Sequence, residues 1–551
     1  MAYDLVIKNG TIVDGSGAPG FRADLAVGGG RIVEIGRIKE GGKRTIDASD
    51  LVVAPGFIDP HTHYDAQMCW DSLMTCSSWH GVTTVITGNC GVGIAPCRPD
   101  THEVVAWDLV NVEGIPFEVL SKGVTWDWVS FPDFMDAAAR RGLSINVGCF
   151  APLTPFRHFV MGEESMERAA RPEETAQIRA LLRDALAAGA FGFSTTNTLQ
   201  HTGYKGRPLA CRLASTEELR TYAGVLKELG KGIIEIALTR TRGQISEEEW
   251  SLTEMLLSES GRRITWISID GEDMLRKVEP LVERGAIPQI RCTPTLFEFT
   301  LHSPGLVFPS IAPSWTKVFN QPVEVQKQIY ADTAFRNEFR EKLAGPRGSL
   351  INWDRFEFGR AKNPRFSSLE GKSIATIAAQ RGTDSVDAFL DLGIEDNLES
   401  WFTMIQDVGR MAPFIADPRV IIALSDGGAH VDQHCDAGYP TYLLGTWSRK
   451  KQVIGLEAAV KRLTSEPAAL LGIRDRGLLA AGLAADITVF DYNTIDSAER
   501  QEMRRDLPGG GIRFVMPATG VECTVVNGEV IYEHGKPTGK IAGRMLRSGV
   551  N

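Results

Sequence analysis

The chain has 551 residues, 43% hydrophobic and 23% charged, an ordinary globular composition that excludes disorder, collagen and coiled coil as whole-chain descriptions. With 59 basic against 69 acidic side chains the net charge is −10, so no basic surplus is available for nucleic acid or an anionic membrane. No apolar run reaches the roughly 18 residues of a spanning helix, and no signal peptide is visible at MAYDLVIKNG. Nine cysteines, odd in number and scattered, read as free thiols in a reducing cytosol, and the expectation is a soluble cytoplasmic enzyme acting on a small molecule.

The first 55 residues read as short strands joined by glycine turns, such as Leu5-Val-Ile, Asp24-Leu-Ala-Val and Arg31-Ile-Val-Glu-Ile. A further strand, Val52-Val-Ala-Pro-Gly-Phe-Ile, opens the middle of the chain. The middle then alternates buried-strand and amphipathic-helix signals. Strands are expected at Gly81-Val-Thr-Thr-Val-Ile-Thr, Leu143-Ser-Ile-Asn-Val-Gly, Ala190-Phe-Gly-Phe-Ser and Gly232-Ile-Ile-Glu-Ile-Ala. Arg263-Ile-Thr-Trp-Ile-Ser, Ala286-Ile-Pro-Gln-Ile-Arg and Arg419-Val-Ile-Ile-Ala-Leu complete eight. Helices are expected over 174–188 and 216–229, the second opened by a capping box of Ser215 and Glu218. Eight strands with helical crossovers make an α/β protein and favour a (β/α)8 TIM barrel. After Gly482 the β texture returns, with a hairpin at Asn527-Gly528, so the two ends can pair into one small sheet domain.

Residues 297–366 break this rhythm with twelve aromatics, from Phe297 to Phe366. A piece this long is no plain loop. It reads either as an inserted helical subdomain with its own core, or as a lid walling an apolar pocket over the barrel. No internal repeat or low-complexity tract is visible.

Three stretches carry chemistry. In Pro55-Gly-Phe-Ile-Asp-Pro-His-Thr-His63, alternate residues of a strand point the same way, so His61 and His63 face one side and can share a divalent ion. In Thr87-Gly-Asn-Cys-Gly91, Cys90 is either a small buried filler or a thiolate metal ligand. In Leu424-Ser-Asp-Gly-Gly-Ala-His430, Asp426 can touch the metal and take a proton from water, or simply cap a loop. His430, Asp432, His434 and Asp436 follow and can line a pocket.

Together these stretches resemble the amidohydrolase superfamily, and within it the N-acyl-D-amino-acid deacylase (D-aminoacylase) family. The resemblance runs from VIKNGTIVDGSG through PGFIDPHTHYDA, SSWHGVTTVITGNCG, FGFSTT, ASTEEL and SDGGAH to TSEPAALLGIRDRGLLAAGLAADITVFD and ECTVVNGEVI. It implies a distorted (β/α)8 barrel over 56–475, carrying the 297–366 insertion, and a small β-sandwich built from 1–55 and 476–551. It implies metal-assisted hydrolysis of an amide or related C–N bond, usually with zinc. His61, His63 and Cys90 match metal-ligand positions, and Asp426 the catalytic acid/base.

The pattern fails in three places. The family's histidines at the ends of strands five and six are absent, since none of the ten histidines lies between 202 and 301. The strand-four lysine carboxylated in other amidohydrolases is absent too, that strand ending Phe193-Ser-Thr-Thr196. The arginine that binds the substrate carboxylate in D-aminoacylases is replaced in Tyr439-Pro-Thr-Tyr442-Leu-Leu-Gly. His61, His63, Cys90 and Asp426 still suffice for one zinc ion per chain, with Thr239, Asp270 or His201 as spare donors. Arg240, Arg242 and Arg291 are the substitute cations for substrate, with His201, His430 and Tyr442 as further pocket residues. Two other readings stand beside an amide hydrolase: a hydrolase of a cyclic amide, lactone or carbamate with an apolar body, and a metal-poor paralogue that keeps the fold as a binding module.

Overall fold

The computed structural model describes residues 3–549 except 239, 240, 242, 306, 320, 346, 347 and 407. The chain forms two compact units. The first comprises residues 1–293, 409–430 and 435–551, and the second Pro294–Val408 with Val431–His434.

In the first unit, eight parallel strands follow one another in chain order. They are β1 (Phe57–Asp59), β2 (Val82–Thr87), β3 (Asn146–Cys149), β4 (Gly192–Thr196), β5 (Ile233–Ala237), β6 (Ile264–Ile267), β7 (Ala286–Ile290) and β8 (Ile421–Ile422). Strands β1 to β3 pair in sequence, as do β4 to β8. Ala151–Pro152, just past β3, pairs with β4 and carries the order across the gap. Thr62, beyond β1, bridges in parallel to Gly427, beyond β8. β2, β3, β4 and β5 are buried along their whole length, which is why they read as continuous apolar and small-residue runs. The helix Thr216–Leu229 opens on the expected capping box, and its neighbour runs Pro172–Ala188, two residues longer than read from sequence.

The expected single strand over 52–58 is two. Val52–Pro55 pairs antiparallel with Ile487–Phe490, while Phe57–Asp59 joins β2 in the parallel set. Gly56 is the point of transfer. A Cβ there would lie 2.2 Å from the Thr83 side chain, so only glycine lets the chain change sheets so close to β2. The sheet it leaves has nine strands and interleaves both ends of the chain, with Tyr3–Ile12 and Val52–Pro55 beside Ile487–Phe490, Val521–Val526 and Glu529–Glu533. The Asn527-Gly528 hairpin joins the last two. No helix among the described residues is long and apolar enough to cross a membrane.

The second unit is not purely helical, as its aromatic density suggests, but surrounds a three-stranded antiparallel sheet of Thr295–Thr300, Trp401–Gln406 and Phe356–Arg360. Phe356 and Phe358 alternate with half-buried Glu357, a period of two that a helical reading of the segment misses. Nine of the twelve aromatics are buried in one cluster with Phe389 and Phe402, and Phe297 and Trp353 pack against it. These rings face each other, so they build a core. Trp315 is fully buried and stacks on Phe308 at 4.2 Å. Trp315→Ala is expected to destabilise this unit by about 3–5 kcal/mol. The check is a urea titration followed by proteolysis between 294 and 408, and an unshifted midpoint would contradict the role of this core.

Candidate metal centre

Beyond β1, the chain His61-Thr62-His63 is held by backbone pairing to the loop beyond β8. The His63 amide donates to Gly427 O at 2.7 Å, and Ser425 Oγ donates to His61 O at 3.1 Å. Gly428 lies in the left-handed region, and a Cβ there would meet His63 O at 2.7 Å. The glycine pair of Ser-Asp-Gly-Gly is therefore what lets Asp426 approach the histidines.

The approach is close. Asp426 Oδ1 lies 3.4 Å from His61 Nε2 and 3.9 Å from His63 Nε2. Cys90 Sγ lies 3.5 Å from His61 Nε2, and one donor atom each of His61, His63 and Cys90 falls within 4.8 Å of the others. Three non-glycine residues here, Cys90, Asp426 and His430, hold positive φ of 56°, 46° and 49°, backbone that only a firm surrounding maintains.

Two buried glutamates, unforeseen from sequence, stand behind the imidazoles. Glu235, inside β5, places Oε1 3.9 Å from His61 Nδ1 and accepts the Cys90 amide at Oε2, 2.6 Å away. Glu113, last residue of the helix His102–Glu113, places Oε1 3.3 Å from His63 Nδ1. A charged residue amid the apolar run Ile-Ile-Glu-Ile-Ala was the available signal for Glu235. Nothing local marks Glu113, which closes a helix distant in sequence from both histidines.

Burial, reinforced by the Asp426 charge, pushes the Glu235 carboxyl up to about 8 and raises Glu113 well above its usual range. Burial lowers both His61 and His63, against the pull of Asp426, so the imidazoles are neutral and offer lone pairs. Burial also raises the Cys90 thiol, with Glu235 and Glu113 adding to it. For Asp426, burial acts upward, but His61, Arg291 and His63 outweigh it and hold the carboxyl below the carboxylate range. The buried His61 Nδ1 and Glu235 Oε1 have no hydrogen-bond partner among the described residues. Neutral imidazoles, a thiol that needs a cation to ionise, and surplus buried carboxylate suit a divalent ion held by His61, His63 and Asp426 with Cys90.

The other expected residues divide. His201 interacts electrostatically with His430, Asp426 and His61; burial first, then His430 and Arg212, pushes its imidazole down to about 4. His430 is lowered by burial and Arg291, against Asp426. Arg291, one residue past β7, has Nη2 3.2 Å from Asp426 Oδ2 and Nη1 3.1 Å from Asp436 Oδ2. Its fork is thus engaged with two carboxylates, one of them that of Asp426. Asp270 pairs with Arg410 at 2.6 Å. Tyr442 ends the short helix Tyr439–Tyr442, half-buried. Asp432 and His434 belong to the second unit, where the His434 ring meets Phe297 edge-on at 4.8 Å. Arg240, Thr239 and Arg242 lie outside the described residues.

Residues 44–295 and 357–532 match the amidohydrolase family. The chain belongs to that family. This amidohydrolase is 30% identical to a D-aminoacylase of Alcaligenes xylosoxydans xylosoxydans over 99% of its own length and 97% of the relative's. It is 27% identical to an N-acyl-D-glutamate deacylase of the same organism, over 99% and 96%. A solved D-aminoacylase, described as having a binuclear metal centre with one-metal activation and second-metal attenuation, superposes with a TM-score of 0.68. That match is at 25% identity and covers 99% of this chain and 100% of the other. The protein has the amidohydrolase fold and is a D-aminoacylase-like hydrolase of carbon–nitrogen bonds.

Glu235→Gln keeps an acceptor for the Cys90 amide but removes the carboxyl that a bound ion would draw into ionisation beside His61. Divalent-ion affinity is expected to fall about 10–100-fold, the usual cost of losing a carboxylate behind a ligating histidine. A chelator-competition titration measures it, and unchanged affinity would show that Glu235 does not act on the ion.

Proposed function

We propose that the protein is a metal-dependent hydrolase of an amide C–N bond, of N-acyl-D-amino-acid deacylase type, acting on a small molecule with one zinc ion per chain. The observation that carries this reading is Asp426 Oδ1 lying 3.4 and 3.9 Å from the two histidine Nε2 atoms. The chain-order parallel strands and the Thr62–Gly427 bridge support a closed (β/α)8 barrel, with the site at the carboxyl ends of its strands. The nine-stranded sheet supports a β-sandwich made from both ends of the chain.

In this mechanism His61, His63, Asp426 and Cys90 would hold the ion, which when bound would supply Lewis-acid polarisation of the amide carbonyl and a more acidic water. Asp426 takes the proton of the attacking water and returns it to the leaving nitrogen. Oδ1 faces the imidazoles and Oδ2 is fixed by Arg291, so the carboxylate is oriented before substrate arrives. Neutral His201 and His430 then serve as uncharged hydrogen-bonding groups for the substrate. The names of the relatives, a D-aminoacylase and deacylases of N-acyl-D-aspartate and N-acyl-D-glutamate, support an N-acyl amino acid as the substrate class.

Asp426→Asn is expected to lower turnover on such a substrate by at least about a hundredfold while leaving the fold intact. Wild-type turnover in that variant would remove Asp426 from the reaction.

Stoichiometry follows from the donor set. A two-metal site needs ligands on both sides of a bridge about 3.5–4 Å across. The described residues on β5 and β6 include no histidine, and Asp270 is paired with Arg410. Elemental analysis after gel filtration is therefore expected to return close to one equivalent of zinc. Two equivalents would overturn the one-ion site, and none would favour a binding module.

A further inference from the structure

The first unit holds a second reactive cluster, which the hydrolytic reading leaves unused. Cys76 is buried, Cys435 is half-buried, and their sulfur atoms lie 3.4 Å apart although the residues are 359 positions apart in sequence. Around them pack Ala437, Val515 and Met516, with Trp79 beside them. His80 Nε2 is fixed by Met516 O at 2.8 Å and Nδ1 by Thr441 Oγ1 at 2.7 Å, so its ring is held firmly beside this pair.

Two buried cysteines can be mere apolar filler joined by a weak S–H···S bond. The surroundings argue otherwise. The hydrogen bond from Cys435 and the nearby His80 draw Cys76 toward thiolate, against burial. The same hydrogen bond, with burial, raises the Cys435 thiol, so Cys76 is the thiolate of the pair, whereas burial pushes Cys97 and Cys523 up to about 12. Cys76 and Cys435 thus combine a hydrogen-bonding contact between their sulfurs with a partly open face at Cys435.

We propose that Cys76 and Cys435 form a reversible modification site that closes to a disulfide on exposure to a small peroxide and acts on the metal centre. One thiolate of the pair attacks the peroxide, breaks its O–O bond and becomes a sulfenic acid, releasing water once the proton is taken up. The second sulfur attacks the first, forms the S–S bond and displaces the hydroxyl as a second water. Two thiols lose two electrons in all, and one hydrogen peroxide is reduced to two waters. A thiol reductant reverses the step.

Closure draws the sulfurs from 3.4 Å to about 2.05 Å. Both ends of that movement lead to the site. Cys435 precedes Asp436, whose carboxylate holds Arg291 at 3.1 Å, and Arg291 in turn holds Asp426 at 3.2 Å. Cys76 precedes Ser77, whose hydroxyl shares a 2.7 Å hydrogen bond with that of Tyr64, the residue after His63.

The test treats the full-length, zinc-loaded protein with one equivalent of hydrogen peroxide, quenches with catalase, and maps the unreduced peptides by mass spectrometry. The expected result is loss of two of the nine thiols, a dominant cross-link between the peptides of Cys76 and Cys435, and recovery of both thiols with dithiothreitol. Dominant oxidation of any other cysteine, Cys90 included, or thiol loss without this cross-link, overturns the proposal. Cys435→Ser should abolish the cross-link; the wild-type map decides the matter even if that variant does not fold. Coupling to the site is read as zinc affinity of oxidised against reduced protein, with about a tenfold or larger weakening expected. Equal affinities overturn the coupling. That arm rests on the proposed metal centre, whereas the peptide map needs neither metal nor substrate.

Discussion

Buried negative charge is the constraint on which the centre of this molecule depends. Glu113 and Glu235 stand behind the His63 and His61 imidazoles, and Asp426 and Asp436 share the Arg291 guanidinium, in a region almost closed to water. An ionised carboxylate in such a place is costly unless it is paired or protonated. Arg291 serves Asp426 and Asp436, and burial drives Glu113 and Glu235 toward protonation. A divalent ion between the imidazoles would meet the same need, and its binding would then be tied to the release of protons.

The rest of the first unit holds that cluster together. Backbone pairing between Thr62-His63 and Gly427 sets the distance from the histidines to Asp426, and glycines at 56 and 428 clear the space it requires. Cys90, Asp426 and His430 keep left-handed backbone at the same spot. Strain of this kind survives where many contacts fix it, which suits groups that must meet a substrate without rearranging. Cys435 and Asp436 lie on the return from this loop, so the cysteine pair and the Arg291 bridge are neighbours by construction.

The second unit shows a different economy of residues. Its aromatics, conspicuous as an unbroken series in the sequence, are consumed by mutual packing around Phe389 and Phe402. A high aromatic content in an insertion therefore reports first on the need of a small unit for its own core.

Sequence alone determined the features that depend on local pattern. Apolar runs between turn residues marked the eight parallel strands, the capping box fixed the start of the helix at Thr216, and the Asn-Gly turn fixed the terminal hairpin. His-x-His, the Asn-Cys-Gly stretch and Ser-Asp-Gly-Gly named His61, His63, Cys90 and Asp426, because period-two spacing and glycine freedom are written along the chain. Only the tertiary structure decided what lies behind those groups. Glu113 and Glu235 reach the two imidazoles from a helix end and a mid-strand position, Arg291 is engaged by two carboxylates, and Cys76 meets Cys435 across most of the chain. Such partners are set by strand closure and burial, which act through space between residues that no sequence period connects.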